Sequence, residues 1–147
     1  MSVERRAYID TSALAKWYLN EPGSDAFVRF LQALDVAVIS SLTRTEMRSL
    51  LSRRRRMGDL SVELETVLFA AFLEDIHRGW LQQYPIEDAR FAEAANLISR
   101  HPEHPLRTLD ALHLVQAVQA DIQLLATADA VMADAATDMG REMTSFY

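Results

Sequence analysis

Four carboxylates stand where an α/β chain concentrates its chemistry. Asp10 ends the short apolar run "AYID", and Asp129 follows the strand-like "LLAT". Glu46 falls in the first turns of the helix after the second strand, and Asp110 in the first turn of the helix before the fourth. Each has an ordinary structural use when taken alone. Asp10 and Asp129 can cap helices, Glu46 can close a box Thr43-Arg44-Thr45-Glu46, and Asp110 suits a helix dipole. Such caps are worth about 1 kcal/mol each. Delivered together to one edge of a sheet, the four would repel one another, and like charges in one pocket either protonate or gather a cation. An all-oxygen donor set suits Mg²⁺, or Mn²⁺ in its place, rather than zinc. Mg²⁺ normally keeps several waters and binds phosphate oxygens, so the expected chemistry is phosphodiester hydrolysis by an activated water. Thr127 and Ser12 are hydroxyls able to orient a ligand or water beside these acids.

The elements that must position these groups alternate. Strand-like runs are "AYID", "VAVIS", "IQLLAT" and, more weakly, "LQQYPI", with "EMTSF" as a final edge strand. Between them lie helical stretches: "SALAKWYL", "SDAFVRFLQAL", "SSLTRTEMRSLLSRRRRMGD", "SVELETVLFAAFLEDIHRGW", "EDARFAEAANLISR", "TLDALHLVQAVQA" and "AVMADAATDM". In "TLDALHLVQAVQA" the expected stripe is Leu109, Leu112, Val115, Gln116 and Gln119. The order βαα βαα βαα βα β predicts a central, mainly parallel sheet covered by helices on both faces, a three-layer α/β/α sandwich. Ligands of such sheets sit beyond the carboxyl ends of the strands. Asp10, Glu46 and Asp129 belong to that edge directly. Asp110 reaches it only if its helix packs with the amino end there, which the pattern does not show.

The chain has 147 residues, half of them apolar and 24% charged, which fits one globular domain over 1–147. There is no cysteine, so disulfides, thiolate nucleophiles and sulfur-built zinc sites are excluded. "MSVERRAYID" is charged and not followed by a long apolar run, so neither a signal peptide nor a membrane span is expected and the location reads as cytoplasmic. The formal net charge is -6, which gives no bulk attraction to nucleic acid.

Three further features carry expectations. Arg53, Arg54, Arg55 and Arg56 serve equally well as a solvated helix end or as a phosphate contact for RNA. In "HPEHP", Pro102 and Pro105 argue for an exposed loop in which His101 and His104 do not converge, while His113 reads as a packed core residue. Residues 61–80 hold more apolar positions than one face can bury: Leu64, Val67, Leu68, Ala71 and Phe72 on one side, Val62, Phe69, Leu73, Ile76 and Trp80 on another. A homodimer is expected through this region.

"YIDTSALAKWYLNEPGS", "SSLTRTEMRSLLSRRRRMGDLS", "RTLDALHLVQA" and "LLATADAVMADAATDMG" resemble the PIN-domain ribonucleases, specifically the VapC-like toxins of type II toxin-antitoxin systems. The resemblance implies Mg²⁺-dependent cleavage of structured RNA, tRNA or an rRNA loop, leaving a 5′-phosphate. It also implies inhibition by a cognate antitoxin, bound in a groove near residues 61–80. It maps the family's acids onto Asp10, Glu46, Asp110 and Asp129, with Thr127 as helper. The alternative within the same fold is a non-catalytic domain that binds RNA or protein. A dehalogenase-type phosphatase needs a second acid two residues after Asp10, where Ser12 stands, and a receiver domain needs a late lysine, whereas Lys16 is the only one.

Overall fold

A computed structural model describes residues 3–147. The chain runs β1 (Arg6–Ile9), α1 (Thr11–Tyr18), α2 (Ser24–Gln32), β2 (Val36–Ser40), α3 (Ser41–Arg56), α4 (Val62–His77), β3 (Leu81–Tyr84), α5 (Ala89–Arg100), α6 (Thr108–Gln119), β4 (Leu124–Thr127), α7 (Ala130–Asp138) and β5 (Glu142–Ser145). This is the alternation the sequence predicts. The strands form one sheet in the order β3-β2-β1-β4-β5. Every pairing is parallel, including β5 along the edge beside β4.

Alternation along the central strands divides the core into two layers. Tyr8, Val38 and Leu125 point to one face, where they meet Leu97 of α5, Leu112, Leu114 and Val115 of α6, and Met132 of α7. Ile9, Ile39 and Ala126 point to the other, against Leu14 of α1, Phe27 of α2, Met47 and Leu51 of α3, and Phe72 of α4. Strands buried on both faces read as continuous apolar runs, which is why "AYI", "VAVI" and "LLA" were legible as strands.

The strand order marks where a ligand site is expected. From β1 the chain steps outward to β2 and β3, then returns to the opposite side of β1 to lay down β4 and β5. The direction of winding reverses between β1 and β4, and open parallel sheets bind ligands just outside the carboxyl ends at such a reversal. Asp10 follows β1 and Asp129 follows β4 by two residues.

Two expectations are corrected. The stripe on α6 is misphased: everything from Asp110 to Ala117 is buried, while Leu109 and Gln119 face solvent. That helix is packed between α5, α7 and the sheet, so no single stripe describes it. On α4, core contact comes from Leu68, Phe69, Phe72, Leu73 and Ile76. Leu64, Val67 and Ala71 lie exposed together at i, i+3 and i+7, and Val62 and Trp80 are exposed at its two ends.

Candidate active site

Asp10 is 5% exposed and does two things at once. As the N-cap of α1 it accepts hydrogen bonds on Oδ1 from the Ala13 amide at 3.0 Å and the Ser12 hydroxyl at 2.8 Å. Its other oxygen, Oδ2, accepts from the Thr127 hydroxyl at the end of β4. Thr127 Oγ1 in turn accepts from the Asp129 amide at 3.0 Å, and Ser12 Oγ accepts from the Ala128 amide at 2.9 Å. Small hydroxyls thus lace the ends of β1 and β4 together. Burial pushes the Asp10 carboxyl above its usual range, opposed by the charge of His113 and by the bonds from Thr127, Ala13 and Ser12.

Glu46 reaches in from α3. Its Oε1 accepts from the Thr11 hydroxyl at 2.9 Å and lies 2.5 Å from Nε2 of His113. The opposite ring nitrogen, Nδ1, is 2.6 Å from the hydroxyl of Tyr8. Burial alone would drive the His113 imidazole toward neutrality, but the bond to Glu46 and the charges of Glu46, Asp10 and Asp110 outweigh it, and the pKa is raised. Burial first, then the charges of Asp10 and Glu46, hold Tyr8 well above the ordinary phenol range, so it stays protonated. The result is a buried relay, Tyr8–His113–Glu46–Thr11, drawn from β1, α6, α3 and α1.

Asp129 caps α7, accepting on Oδ1 from the amides of Val131 at 2.8 Å and Met132 at 3.1 Å. Its Oδ2 is left outside the cap, 3.6 Å from the Arg107 guanidinium. Asp110 accepts on Oδ2 from the backbone N–H of Arg107 at 3.1 Å. The amino end of α6 therefore does pack at the carboxyl edge of the sheet, the placement the pattern left open. Arg107 spans Asp110 and Asp129 with a side chain that is 80% exposed, a geometry in which ion pairs contribute little to stability.

Asp10, Glu46, Asp110 and Asp129 all line one cavity of about 870 Å³, with Thr11, Ser12, Arg53, Arg107 and His113 among its other walls. Thr127 sits behind Asp10, fully buried. The acids ring the cavity rather than collapse on a point: among the described residues the only set of three or more Asp, Glu and His whose ligand atoms all lie within 4.8 Å of one another is Glu103, His104 and Asp138. Four carboxylates of like sign held apart around a water-accessible space fit a hard cation that takes a few of them directly and the rest through water.

Two neighbours of the acids, Arg107 and Tyr8, escaped sequence reading, while His113, expected as a packed core residue, is buried and also bonds Glu46 and Tyr8. His113 and Arg107 stand three residues either side of Asp110, a spacing that puts side chains on one helix face and was the available signal. Tyr8 precedes Asp10 by two positions in a strand and carries no signal of its own. The arginine quartet also divides. Arg54 pairs with Glu21 at 2.5 Å and Arg55 with Glu65 at 2.9 Å, whereas Arg53 is exposed and lines the cavity. The "HPEHP" loop departs from expectation too. A turn from the His104 amide to the His101 carbonyl (3.1 Å), with Pro102 at its second position, brings the two imidazoles to 6.3 Å between centroids.

With this geometry in place, comparison with known proteins is decisive. Residues 7–138 match the family model of the PIN domain. The chain belongs to the PIN-domain family. It is 34% identical over 140 residues to Ribonuclease VapC46 of Mycobacterium tuberculosis, covering 90% of this chain and 92% of that protein. Among solved PIN structures, M. tuberculosis VapC20, a sarcin-ricin loop cleaving toxin, superposes with a TM-score of 0.71 at 18% identity, over 88% of this chain and 94% of VapC20. VapBC-1 from nontypeable Haemophilus influenzae gives 0.62 at 16% identity, over 96% and 98% of the two chains. The chain is thus a VapC-like PIN domain, with the parallel sandwich those structures share.

Proposed function

We propose that this PIN domain is a metal-dependent endoribonuclease that acts as the toxin of a toxin-antitoxin pair. The observation that carries the reading is the convergence of Asp10, Glu46, Asp110 and Asp129, from four separate elements, on one cavity at the winding reversal of the sheet. The 34% identical relative named as a ribonuclease supports it.

In this reading the four acids hold Mg²⁺, with Mn²⁺ able to replace it. Bound there, the ion would polarise a phosphate oxygen and lower the pKa of a water for in-line attack, leaving a 5′-phosphate. The chain's own contribution is orientation. Thr127 donates to Asp10 and fixes the plane of its carboxylate. Thr11 and His113 do the same for Glu46, and the α7 cap turns the free oxygen of Asp129 into the cavity. Arg53 and Arg107, exposed at the rim, supply positive charge for the backbone of a structured RNA, tRNA or an rRNA loop. Homodimerisation and binding of a cognate antitoxin are assigned to the uncovered α4 face of Leu64, Val67 and Ala71. An unpartnered apolar stripe on a helix calls for another surface, and the VapBC-1 likeness is in keeping with a paired assembly.

One observation favours a second reading. Asp10 and Asp129 cap helices and Asp110 bonds the backbone ahead of α6, so three of the acids also have structural work that a non-catalytic RNA- or protein-binding domain would need. Incubating antitoxin-free protein with total RNA in Mg²⁺ or EDTA, beside Asp10→Asn, separates the two. Cuts that require the metal and vanish in the variant support the nuclease; RNA left intact by wild-type protein in Mg²⁺ rejects it.

A further inference from the structure

At the far end of α7 from the acidic cavity lies a second group of ligand-bearing side chains. Glu103 and His104 come from the α5–α6 loop and Asp138 from the last residue of α7, and their ligand atoms all lie within 4.8 Å of one another. Nε2 of His104 is 2.5 Å from Asp138 Oδ2 and 3.8 Å from Glu103 Oε1. Beside them, Nδ1 of His101 is 3.4 Å from that same Glu103 oxygen. Metal–nitrogen and metal–oxygen bonds of about 2.0–2.1 Å at tetrahedral angles place ligand atoms roughly 3.3 Å apart, and the spacings here bracket that value.

The loop is already shaped. Pro102 and Pro105 restrict it, and the His104 amide to His101 carbonyl bond (3.1 Å) and the Leu106 amide to His104 carbonyl bond (2.8 Å) close its turns. The His104 side chain is 12% exposed, whereas Glu103 and Asp138 are open to solvent, so an ion has both a seated ligand and a way in. Two imidazoles with two carboxylates make a mixed nitrogen–oxygen set, which selects a borderline divalent ion where the all-carboxylate cavity selects a hard one.

We propose that Glu103, His104 and Asp138, completed by rotation of the neighbouring His101 side chain, bind one transition-metal dication of the Zn²⁺ class. The site would clamp the α5–α6 loop to the end of α7. Its consequence reaches the acidic cavity through covalent connection. The same loop runs on to Arg107, which is 3.6 Å from Asp129 at the start of α7, and to Asp110. The loop therefore lies along α7 with a contact at each end, and the ion fixes the end remote from the acids.

The test is Zn²⁺ titration of full-length, EDTA-treated and dialysed protein by isothermal calorimetry, in excess Mg²⁺ to occupy the acidic cavity. Co²⁺ serves as a spectroscopic stand-in. One equivalent of Zn²⁺ should bind, and Co²⁺ should give the visible absorption of a four-coordinate ion. His104→Ala and Asp138→Asn should each weaken Zn²⁺ by about tenfold or more, and His101→Ala should also weaken it. Asp138→Asn keeps the shape of an exposed side chain, and metal-free melting curves identify any variant that fails to fold. No Zn²⁺ uptake by wild-type protein, or affinity unchanged in both His104→Ala and Asp138→Asn, overturns the site. Unchanged affinity in His101→Ala alone removes that residue from the shell.

Discussion

Glu46 Oε1 and His113 Nε2 lie 2.5 Å apart although 67 residues separate them in sequence, and the other nitrogen of the ring is held by Tyr8 at 2.6 Å. The imidazole is therefore a fixed bracket between a strand at the centre of the sheet and an acid at the cavity. His113→Ala removes both bonds and takes from the buried Tyr8 hydroxyl its histidine partner. A loss on the order of 2–4 kcal/mol in urea unfolding is expected, with cleavage reduced roughly 10–100-fold and the Mg²⁺ requirement shifted to higher concentration. An unchanged Mg²⁺ midpoint would show that Glu46 needs no bracket.

Asp10→Asn should separate stability from activity. The amide oxygen can still accept from Ala13 and Ser12, and the variant no longer buries a carboxylate at position 10. Metal-free protein should therefore melt at or above the wild-type temperature while metal-dependent cleavage is lost. A large drop in melting temperature with activity retained would assign Asp10 a capping role alone.

Metal removal gives a third measurement. An ion that binds only the folded cavity stabilises by about 2.7 kcal/mol at a concentration 100 times its Kd. For a chain of this size that corresponds to a rise of roughly 5–10 °C in Tm, reversed by EDTA. Asp10→Asn should abolish most of the rise. Calorimetric melts with equal Mg²⁺-induced shifts in wild type and variant would place the ion elsewhere.

The arginines of α3 should behave differently from one another. Arg53→Ala is expected to weaken RNA binding across sequences and lower the salt slope by about 1, with little change in stability. Arg54→Ala and Arg55→Ala break pairs with Glu21 and Glu65 and should act on stability first. Filter binding at several salt concentrations, beside thermal melts, checks both; identical salt slopes for Arg53→Ala and wild type would take that side chain out of the RNA path.

Charge placed on the open α4 face tests the assembly. Leu64→Glu with Val67→Glu should yield a folded monomer by sedimentation at micromolar concentration, since neither side chain is part of the core. Wild-type protein already monomeric there would put the dimer contact to rest.

Strands and acids were the most legible parts of this chain. "AYID", "VAVIS" and "LLAT" announce themselves because burial on two faces demands unbroken apolar residues, and a polar group just after such a run is placed at the sheet edge by geometry alone. Asp110 was legible as a candidate but not as a placement, because the direction in which α6 packs depends on α5, α7 and the sheet together. The His113 bracket was hidden for a related reason: its partners, Tyr8 and Glu46, lie on other elements, and nothing within one turn of the helix distinguishes a bonded histidine from a packed one. Arg54 and Arg55 likewise find Glu21 and Glu65 only after folding. In "HPEHP" the prolines were read as keeping the rings apart, whereas Pro102 builds the turn that brings them together.

The cavity draws its acids from positions 10 through 129, and Asp129 enters through the helix that follows the fourth strand. A polypeptide still emerging from the ribosome holds Asp10, Glu46 and even Asp110 without their last companion, and without β4 it also lacks Thr127. Synthesis at about 5–20 residues per second leaves several seconds in which the growing chain cannot assemble the full set. Stalled nascent chains ending before residue 129 should be unable to cut the RNA that surrounds them, so the order of elements would itself withhold the proposed cleavage until β4 and the turn after it have emerged.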